Sequence, residues 1–269
     1  MAADTAPPRL QVGSWNVNSL RVRLPQLLTW LAHNTVDVLG LQETKLVDEL
    51  FPVEALREAG YETFYSGQAA YNGVALLVRE GLGARDFVRA IPEFDHGQRR
   101  VLAATVGDVR IVNLYVPNGE AVGTDKYRYK LDWLDALHAF LASELRAHPR
   151  LIVMGDFNVA PDERDVYDPM RWQDRVLFSE PERRALQALL GLGLADAFRL
   201  FDQPAGCYSW WDYRAGAFRR NLGLRIDLLL ASPTLAGECT ECRIDREPRG
   251  WERPSDHAPV LATFLRTGV

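Results

Sequence analysis

Strand-like runs recur from one end of this chain to the other, and that recurrence limits the folds open to it. Residues 10–17, 36–41, 61–65, 74–78, 101–106, 109–116, 151–154, 225–231 and 259–264 are mostly rich in β-branched residues or alternate apolar with polar ones. Few helices separate them. Segments 25–32 and 53–59 predict short helices, whereas 125–147 predicts a long one with an apolar stripe at Leu134, Leu137, Leu141 and Leu145. Another is expected over 180–190, with Ser179 as N-cap and Pro181 at the first helical position. So many strands with so few helices predict two packed sheets covered outside by helices, a layered α/β sandwich. Each half also pairs a strand ending in a carboxylate with a covering helix, a loose duplication without a fixed period.

At 269 residues, with no Pro/Gly/Ser-rich linker, the chain is expected to form one domain over 10–266 after a disordered extension over 1–9. The longest apolar runs are strand-sized and residues 1–8 lack a basic region followed by an apolar core, so a cytoplasmic protein without a membrane span is expected. Three cysteines without an export signal argue against a disulfide framework. Cys239-Thr-Glu-Cys242 lacks the second pair or nearby histidine that a zinc site needs. A net charge of −5 argues against a general nucleic-acid coat but not against a nuclease, because carboxylates gathered at a metal make the total more negative. Local basic candidates are Arg99-Arg100, Lys126-Tyr-Arg-Tyr-Lys130 and Arg219-Arg220.

Several runs end in polar residues of one kind. Ser14-Trp-Asn-Val-Asn18, Leu39-Gly-Leu-Gln-Glu43, Ile152-Val-Met-Gly-Asp-Phe-Asn158 and Leu224-Arg-Ile-Asp227 are joined by Arg253-Pro-Ser-Asp-His-Ala-Pro-Val260, where Asp256 and His257 stand side by side. Strand ends gathered at one edge of a sandwich hold converging side chains on rigid supports. Carboxylate oxygens are hard ligands for Mg²⁺, and an imidazole can hold a phosphoryl oxygen or move a proton near neutral pH. Glu43, an acid closing a buried strand, needs a cation or hydrogen bonds to offset its desolvation. Asp156 and Asn158 reach one pocket if the turn after their strand is tight; the same spacing also suits an Asx-turn. Asp227 sits amid leucines, where a charge is rarely buried without a partner.

Leu41-Gln-Glu-Thr-Lys45 and Gly223-Leu-Arg-Ile-Asp227 extend two of these segments, and with Asn113-Leu-Tyr-Val-Pro-Asn-Gly119 and Ser209-Trp-Trp-Asp-Tyr-Arg214 added, seven motifs in order between Leu10 and Phe264 strongly resemble the exonuclease III family of apurinic/apyrimidinic endonucleases. The resemblance implies a four-layered α/β sandwich of two mixed sheets, the DNase I-like fold. It also implies Mg²⁺-dependent hydrolysis, with Mn²⁺ as substitute, of the phosphodiester 5′ to an abasic site in duplex DNA. Exonuclease and 3′-end-cleaning activities and action as a monomer on nucleoid DNA go with it. Residue by residue, Asn16, Glu43, Asp156, Asn158, Asp256 and His257 match the metal shell, and Tyr115, Asp156, Asn158, Asp227 and His257 the catalytic set. Asp156 resembles the residue that activates water, Asn158 the one that orients it, Tyr115 a phosphate donor, and Asp227 the partner that keeps His257 protonated. Arg100, Asn118, Lys126 and Trp211 look like DNA contacts, with Arg214 a weaker one. Trp210, Leu224 and Ile226 match the wall around a flipped abasic sugar. Asn18 stands where some members carry aspartate, which leaves metal number and affinity open. Two alternatives stay open: a phosphodiesterase of the same fold acting on lipid headgroups, and a non-catalytic regulator that binds nucleic acid.

Overall fold

The computed structural model describes residues 9–94 and 97–265. Its strands in chain order are β1 (Arg9–Asn16), β2 (Val38–Gln42), β3 (Tyr61–Ser66), β4 (Val74–Arg79), β5 (Ala84–Val88), β6 (Val101–Val106), β7 (Val109–Tyr115), β8 (Leu151–Asp156), β9 (Ala195–Asp196), β10 (Asp227–Ala231), β11 (Cys239–Ile244) and β12 (Val260–Leu265). The helices are α1 (Leu20–His33), α2 (Val53–Glu58), α3 (Asp125–Ala147), α4 (Pro169–Trp172), α5 (Glu180–Gly191) and α6 (Pro233–Glu238).

Two six-stranded sheets result, ordered β11-β12-β1-β2-β4-β3 and β5-β6-β7-β8-β10-β9. Both repeat one pattern of directions: antiparallel pairs flank a single parallel pair, β1 with β2 in one sheet and β7 with β8 in the other. A parallel pair needs a crossover, and α1 and α3 supply the two. The loose duplication read from the sequence is thus a repeated topology.

Three apolar clusters fill the gaps between layers. Val12, Leu76, Ile111, Met154 and Leu229 lie in one cluster drawn from both sheets. Trp133, Leu137 and Leu141 of α3 join Val112, Val153 and Leu186 in a second, and Leu27 and Trp30 of α1 join Leu39, Leu41 and Leu77 in a third. Helix, sheet, sheet, helix is the four-layered sandwich expected. Strands buried on both faces read as continuous apolar runs, which is why Val101–Val106 and Leu151–Asp156 show little alternation.

A polar clamp crosses the interface between sheets. Asn113 Nδ2 of β7 donates to the carbonyls of Leu41 (3.0 Å) and Ala75 (2.9 Å), while its Oδ1 accepts from Gln42 Nε2 at 2.7 Å. Gly40 leaves room for it: a Cβ there would lie 2.7 Å from Asn113 Oδ1.

Several elements differ from the sequence reading. Helix α1 starts at Leu20 rather than at residue 25 and carries Pro25 inside it, because Leu20, Leu27, Trp30 and Leu31 bury one continuous face. Strands β5, β9 and β11 and helices α4 and α6 were not expected. In α5, Pro181 takes the second helical position, and the Ser179 amide donates to Glu182 at 3.0 Å. Arg9, placed in the extension, pairs with Leu265 in β1; the rest of the expected extension, and Arg266, lie outside the described residues. Among the described residues no helix is long and apolar enough to cross a membrane, and the three cysteines are unpaired.

Candidate active site

The central strands of both sheets end at one edge, and their last residues turn sharply. Glu43, Lys45, Asn18 and Ser19 on one side and Asn158 on the other have φ between 43° and 91°, a region non-glycine residues avoid unless the surroundings hold them there. Gly155 precedes Asp156 with φ 150°, and a Cβ on it would meet the Leu114 carbonyl oxygen at 1.9 Å. Only glycine lets β8 run this close to β7 and still deliver Asp156.

These ends bring the expected carboxylates together. Asn16 Nδ2 donates to Glu43 Oε1 at 2.8 Å and to Asp156 Oδ2 at 2.9 Å, joining acids from the two sheets. Glu43, Asp156 and His257 bring ligand-type atoms within 4.8 Å of one another, and the carboxylate oxygens among them are hard donors that suit a divalent cation. The other three expected ligands are engaged elsewhere. Asn16 Oδ1 accepts from the Asn18 amide at 3.0 Å and Asn158 Oδ1 from Asn118 at 3.1 Å. Asp256 accepts from Asn18 (2.9 Å) and Trp210 (3.0 Å), one bond on each oxygen. In this arrangement the two asparagines orient the acids, and Asp256 ties the Trp210 segment to the Asn18 turn.

His257 and Asp227 form the expected pair. His257 Nδ1 is 2.8 Å from Asp227 Oδ2, and Nε2 points toward Asp156 at 3.7 Å. Burial disfavours the charged ring, but the carboxylates of Asp227 and Asp156 outweigh it and raise His257 to about 10. Burial pushes the Asp156 carboxyl up to about 7; His257 opposes the rise, and Asp227 and Glu43 add to it. A carboxyl in that range exchanges protons near neutral pH. Asp256 goes the other way: burial would raise it, yet His257, Trp210 and Asn18 hold it below the usual carboxylate range.

A cleft of about 710 Å³ opens beside these groups, lined by Arg100, Tyr115, Asn118 and Lys126 among others. The Arg100 guanidinium lies 4.6 Å from the centre of the Tyr115 ring. Burial and then the negative charges of Glu43 and Asp156 hold the Tyr115 hydroxyl well above its ordinary value, so it stays a donor. Lys126 is exposed at the rim, 2.8 Å from Glu120. The Asx-turn weighed for Asp156 and Asn158 is also present: the Asn158 amide donates to Asp156 Oδ1 at 2.9 Å, and both side chains still face the site.

The expected recognition wall is only partly at the surface. Leu224 and Ile226 are 0% and 1% exposed, within a cluster with Val166, Leu177 and Phe178, and partly buried Trp210 packs on it. Trp210 therefore presents the apolar face and the two aliphatic residues back it. Trp211 corrects the expectation outright. It is 0% exposed, donates to Asn221 at 3.2 Å and stacks edge-on against Phe218, so it is core and no DNA contact. Arg214 is exposed, 3.8 Å from Asp212.

Some residues of the site escaped the sequence reading. Lys45 Nζ lies 2.8 Å from Glu43 and 2.6 Å from Asn18 Oδ1, a cation beside the acids whose only signal was its place in Leu41-Gln-Glu-Thr-Lys45. Ser209 Oγ accepts from the amides of Ile226 (3.1 Å) and Asp227 (3.0 Å), fixing the strand that carries the histidine's partner. Ser255 Oγ donates to the Asn16 carbonyl at 2.7 Å. Lys130 lies buried beneath Asn118 and Asn158.

Comparison with known proteins agrees with this geometry. The profile of the endonuclease/exonuclease/phosphatase family matches residues 13–257. Exodeoxyribonuclease III of Haemophilus influenzae is 35% identical over 264 residues, covering 93% of this chain and 98% of that one. Among solved structures, a 3′ phosphatase from Neisseria bound to a product DNA hairpin superposes with a TM-score of 0.92 at 46% identity, over 95% of this chain and 99% of the other. An AP endonuclease from Archaeoglobus fulgidus gives 0.91 at 36% identity, again over 95% and 99%.

Proposed function

This chain belongs to the endonuclease/exonuclease/phosphatase family, and from that premise we propose that it is a DNA repair nuclease of the exodeoxyribonuclease III type that depends on a divalent metal, Mg²⁺ with Mn²⁺ as substitute. The observation that carries the reading is the convergence of Glu43, Asp156 and His257 within 4.8 Å at the joint edge of two sheets. One hydrolytic site serves the phosphodiester 5′ to an abasic site, a 3′-phosphate and a 3′-terminal nucleotide, because each presents a phosphate ester to the same groups. That the similar structures include both a 3′ phosphatase and an AP endonuclease supports this breadth.

Glu43 is the residue that would hold the ion, which would supply charge neutralisation on the phosphoryl oxygens and a more acidic water. Asp156, lifted to about 7, takes the proton of the attacking water, and Asn158 beside it orients that water. His257, kept protonated by Asp227, donates to a phosphoryl oxygen. Tyr115 donates a second hydrogen bond, and Arg100 steadies its ring. Trp210 closes one side of the slot and excludes a sugar that still carries its base. Arg100, Asn118 and Lys126 meet the duplex along the adjoining cleft. The catalytic domain runs from Arg9 in β1 through β12, and the protein acts as a monomer on DNA in the cytoplasm.

A timed digestion tests the proposal. Duplexes bearing an internal abasic analogue, a recessed 3′ end or a 3′-phosphate are incubated with Mg²⁺ and with EDTA, and turnover is expected in Mg²⁺ alone. Hydrolysis of lipid headgroups with every DNA substrate left intact would overturn it, as would binding of DNA without metal-dependent turnover.

A further inference from the structure

A cation is sealed beneath the catalytic turn. Lys130 of α3 and Glu182 of α5 are both 0% exposed and hydrogen-bonded to each other. The remaining two donors of the ammonium go to backbone carbonyls, that of Asn158 at 2.6 Å and that of Asn118 at 3.1 Å. Glu182 is held in turn by the amides of Leu177 and Ser179, each at 3.0 Å. Above the lysine the side chains of the same two asparagines meet, Asn118 Nδ2 to Asn158 Oδ1 at 3.1 Å, and Asn158 continues to Asp156 Oδ2 at 3.2 Å. The turn after Asn118 is moulded to the lysine, since Gly119 has φ +91° and a Cβ on it would come within 3.0 Å of Lys130 Cδ.

Stability alone does not account for the pair. Well-packed apolar side chains commonly replace a buried ion pair at no cost, because two charges must be taken out of water to form it. What apolar side chains cannot do is bind two carbonyls at one point. We propose that Lys130, anchored by Glu182, is a positioning residue for the hydrolytic reaction: one ammonium fixes the backbone of Asn118 and Asn158 together, and so sets where both amides stand relative to Asp156 and the attacking water. The inference rests on the proposed function, and it assigns Lys130 an effect on the rate of the chemical step that is exerted entirely through Asn118 and Asn158. A cation at this depth meets no substrate itself.

The test replaces the pair by uncharged side chains of similar shape, Lys130→Met with Glu182→Gln, so that no buried charge is left unpartnered. Single-turnover cleavage of an abasic duplex is measured for the parent, this double variant, Asn158→Ala and the combination, with circular dichroism and thermal midpoint as folding controls. The double variant is expected to lose roughly 10- to 100-fold in rate at saturating DNA with little change in DNA affinity. Added to Asn158→Ala it should cost clearly less than it does in the parent, because the share of its effect that runs through Asn158 is already gone and only the share through Asn118 remains. A folded double variant with the parental rate overturns the proposal, and so does a loss that multiplies in full with that of Asn158→Ala. Should the double variant not fold, Lys130→Leu with Glu182→Gln takes its place, again removing the ammonium from both carbonyls without leaving a buried charge unpartnered. The same loss and the same non-additivity are expected of it, and a parental rate counts against the proposal. A parent that cuts none of the DNA substrates refutes the functional reading itself, a result separable from all of these.

Discussion

Nδ1 of His257 sits 2.8 Å from Oδ2 of Asp227, and the two belong to elements that approach from opposite sheets. The bond fixes the ring so that Nε2 faces Asp156, and the carboxylates raise the imidazole to about 10 against an ordinary 6.5. Because the folded value is the higher, the stability His257 contributes is complete below pH 6.5 and is lost as pH rises through about 10. Above about pH 8, past the range where Asp156 titrates, the metal-free parent should therefore lose thermal stability with pH, and Asp227→Asn should flatten that slope. Histidine NMR in EDTA checks the cause; a His257 that titrates near its ordinary value in the parent would sink the argument.

On the proposed function, Glu43→Gln removes a charge that would face the ion and not the duplex. Apparent Mg²⁺ affinity and rate should fall while DNA binding stays near the parental level, with partial rescue at high Mg²⁺ or Mn²⁺. Unchanged Mg²⁺ dependence in the variant would exclude Glu43 as a ligand.

Asp156→Asn keeps the shape of the turn and its acceptor for the Asn158 amide. Turnover should drop on the order of 10²-fold or more, as for loss of a general base, with DNA affinity nearly unaltered. Single-turnover rates within a few-fold of the parent would pass the role to another residue.

Trp210 and its backing residues should separate cleanly. Trp210→Ala opens the exposed face of the wall, so incision at abasic sites should fall and the ratio of abasic to undamaged cleavage should narrow, with Mg²⁺ dependence unchanged. Leu224→Ala, at a position without surface, should instead cost about 2–5 kcal/mol of stability and leave that ratio alone in the protein that remains folded. Paired cleavage rates on matched duplexes and denaturant unfolding tell the two apart, and a Trp210→Ala protein with reduced stability and an unaltered ratio would make Trp210 ordinary core.

Salt should weaken DNA binding despite the net charge of −5, because the contacts are local. Lys126→Ala should flatten the log–log slope by about one unit. Arg100→Ala should do the same and also slow cleavage, since its guanidinium stacks on Tyr115. Affinity for abasic duplex that does not change with salt would rule out a basic docking face.

Helix α3 was legible to its last residue because Thr124 caps it, accepting from the Tyr127 amide, and a full apolar stripe faces the sheet. Strand β11 was not: Cys239-Thr-Glu-Cys-Arg-Ile244 lies at a sheet edge, is largely uncovered and carries an irregularity in register, so its sequence keeps neither strict alternation nor a continuous apolar run. The same contrast holds in the site. Glu43, Asp156, Asp227 and His257 stood out as polar residues at the ends of apolar runs. Lys130 could not, because a lysine in an amphipathic helix reads as solvated, and its burial depends on Glu182, 52 positions later. Trp211 misled for the opposite reason. It neighbours a tryptophan that is only partly buried, and contacts distant in sequence, among them Asn221, Phe218, Arg246 and Ala258, turn it inward.

The repeated topology of the two sheets has a consequence for how the molecule fails. Asn16 and Glu43 hang from one sheet, Asp156 and Asn158 from the other, and the Asn113 clamp ties the pair together. A seam of this kind should be undone by separation before either half melts. Any partial opening that slides one sheet off its twin would silence the chemistry while most backbone hydrogen bonds persist, so loss of turnover should precede loss of secondary structure along a denaturant series.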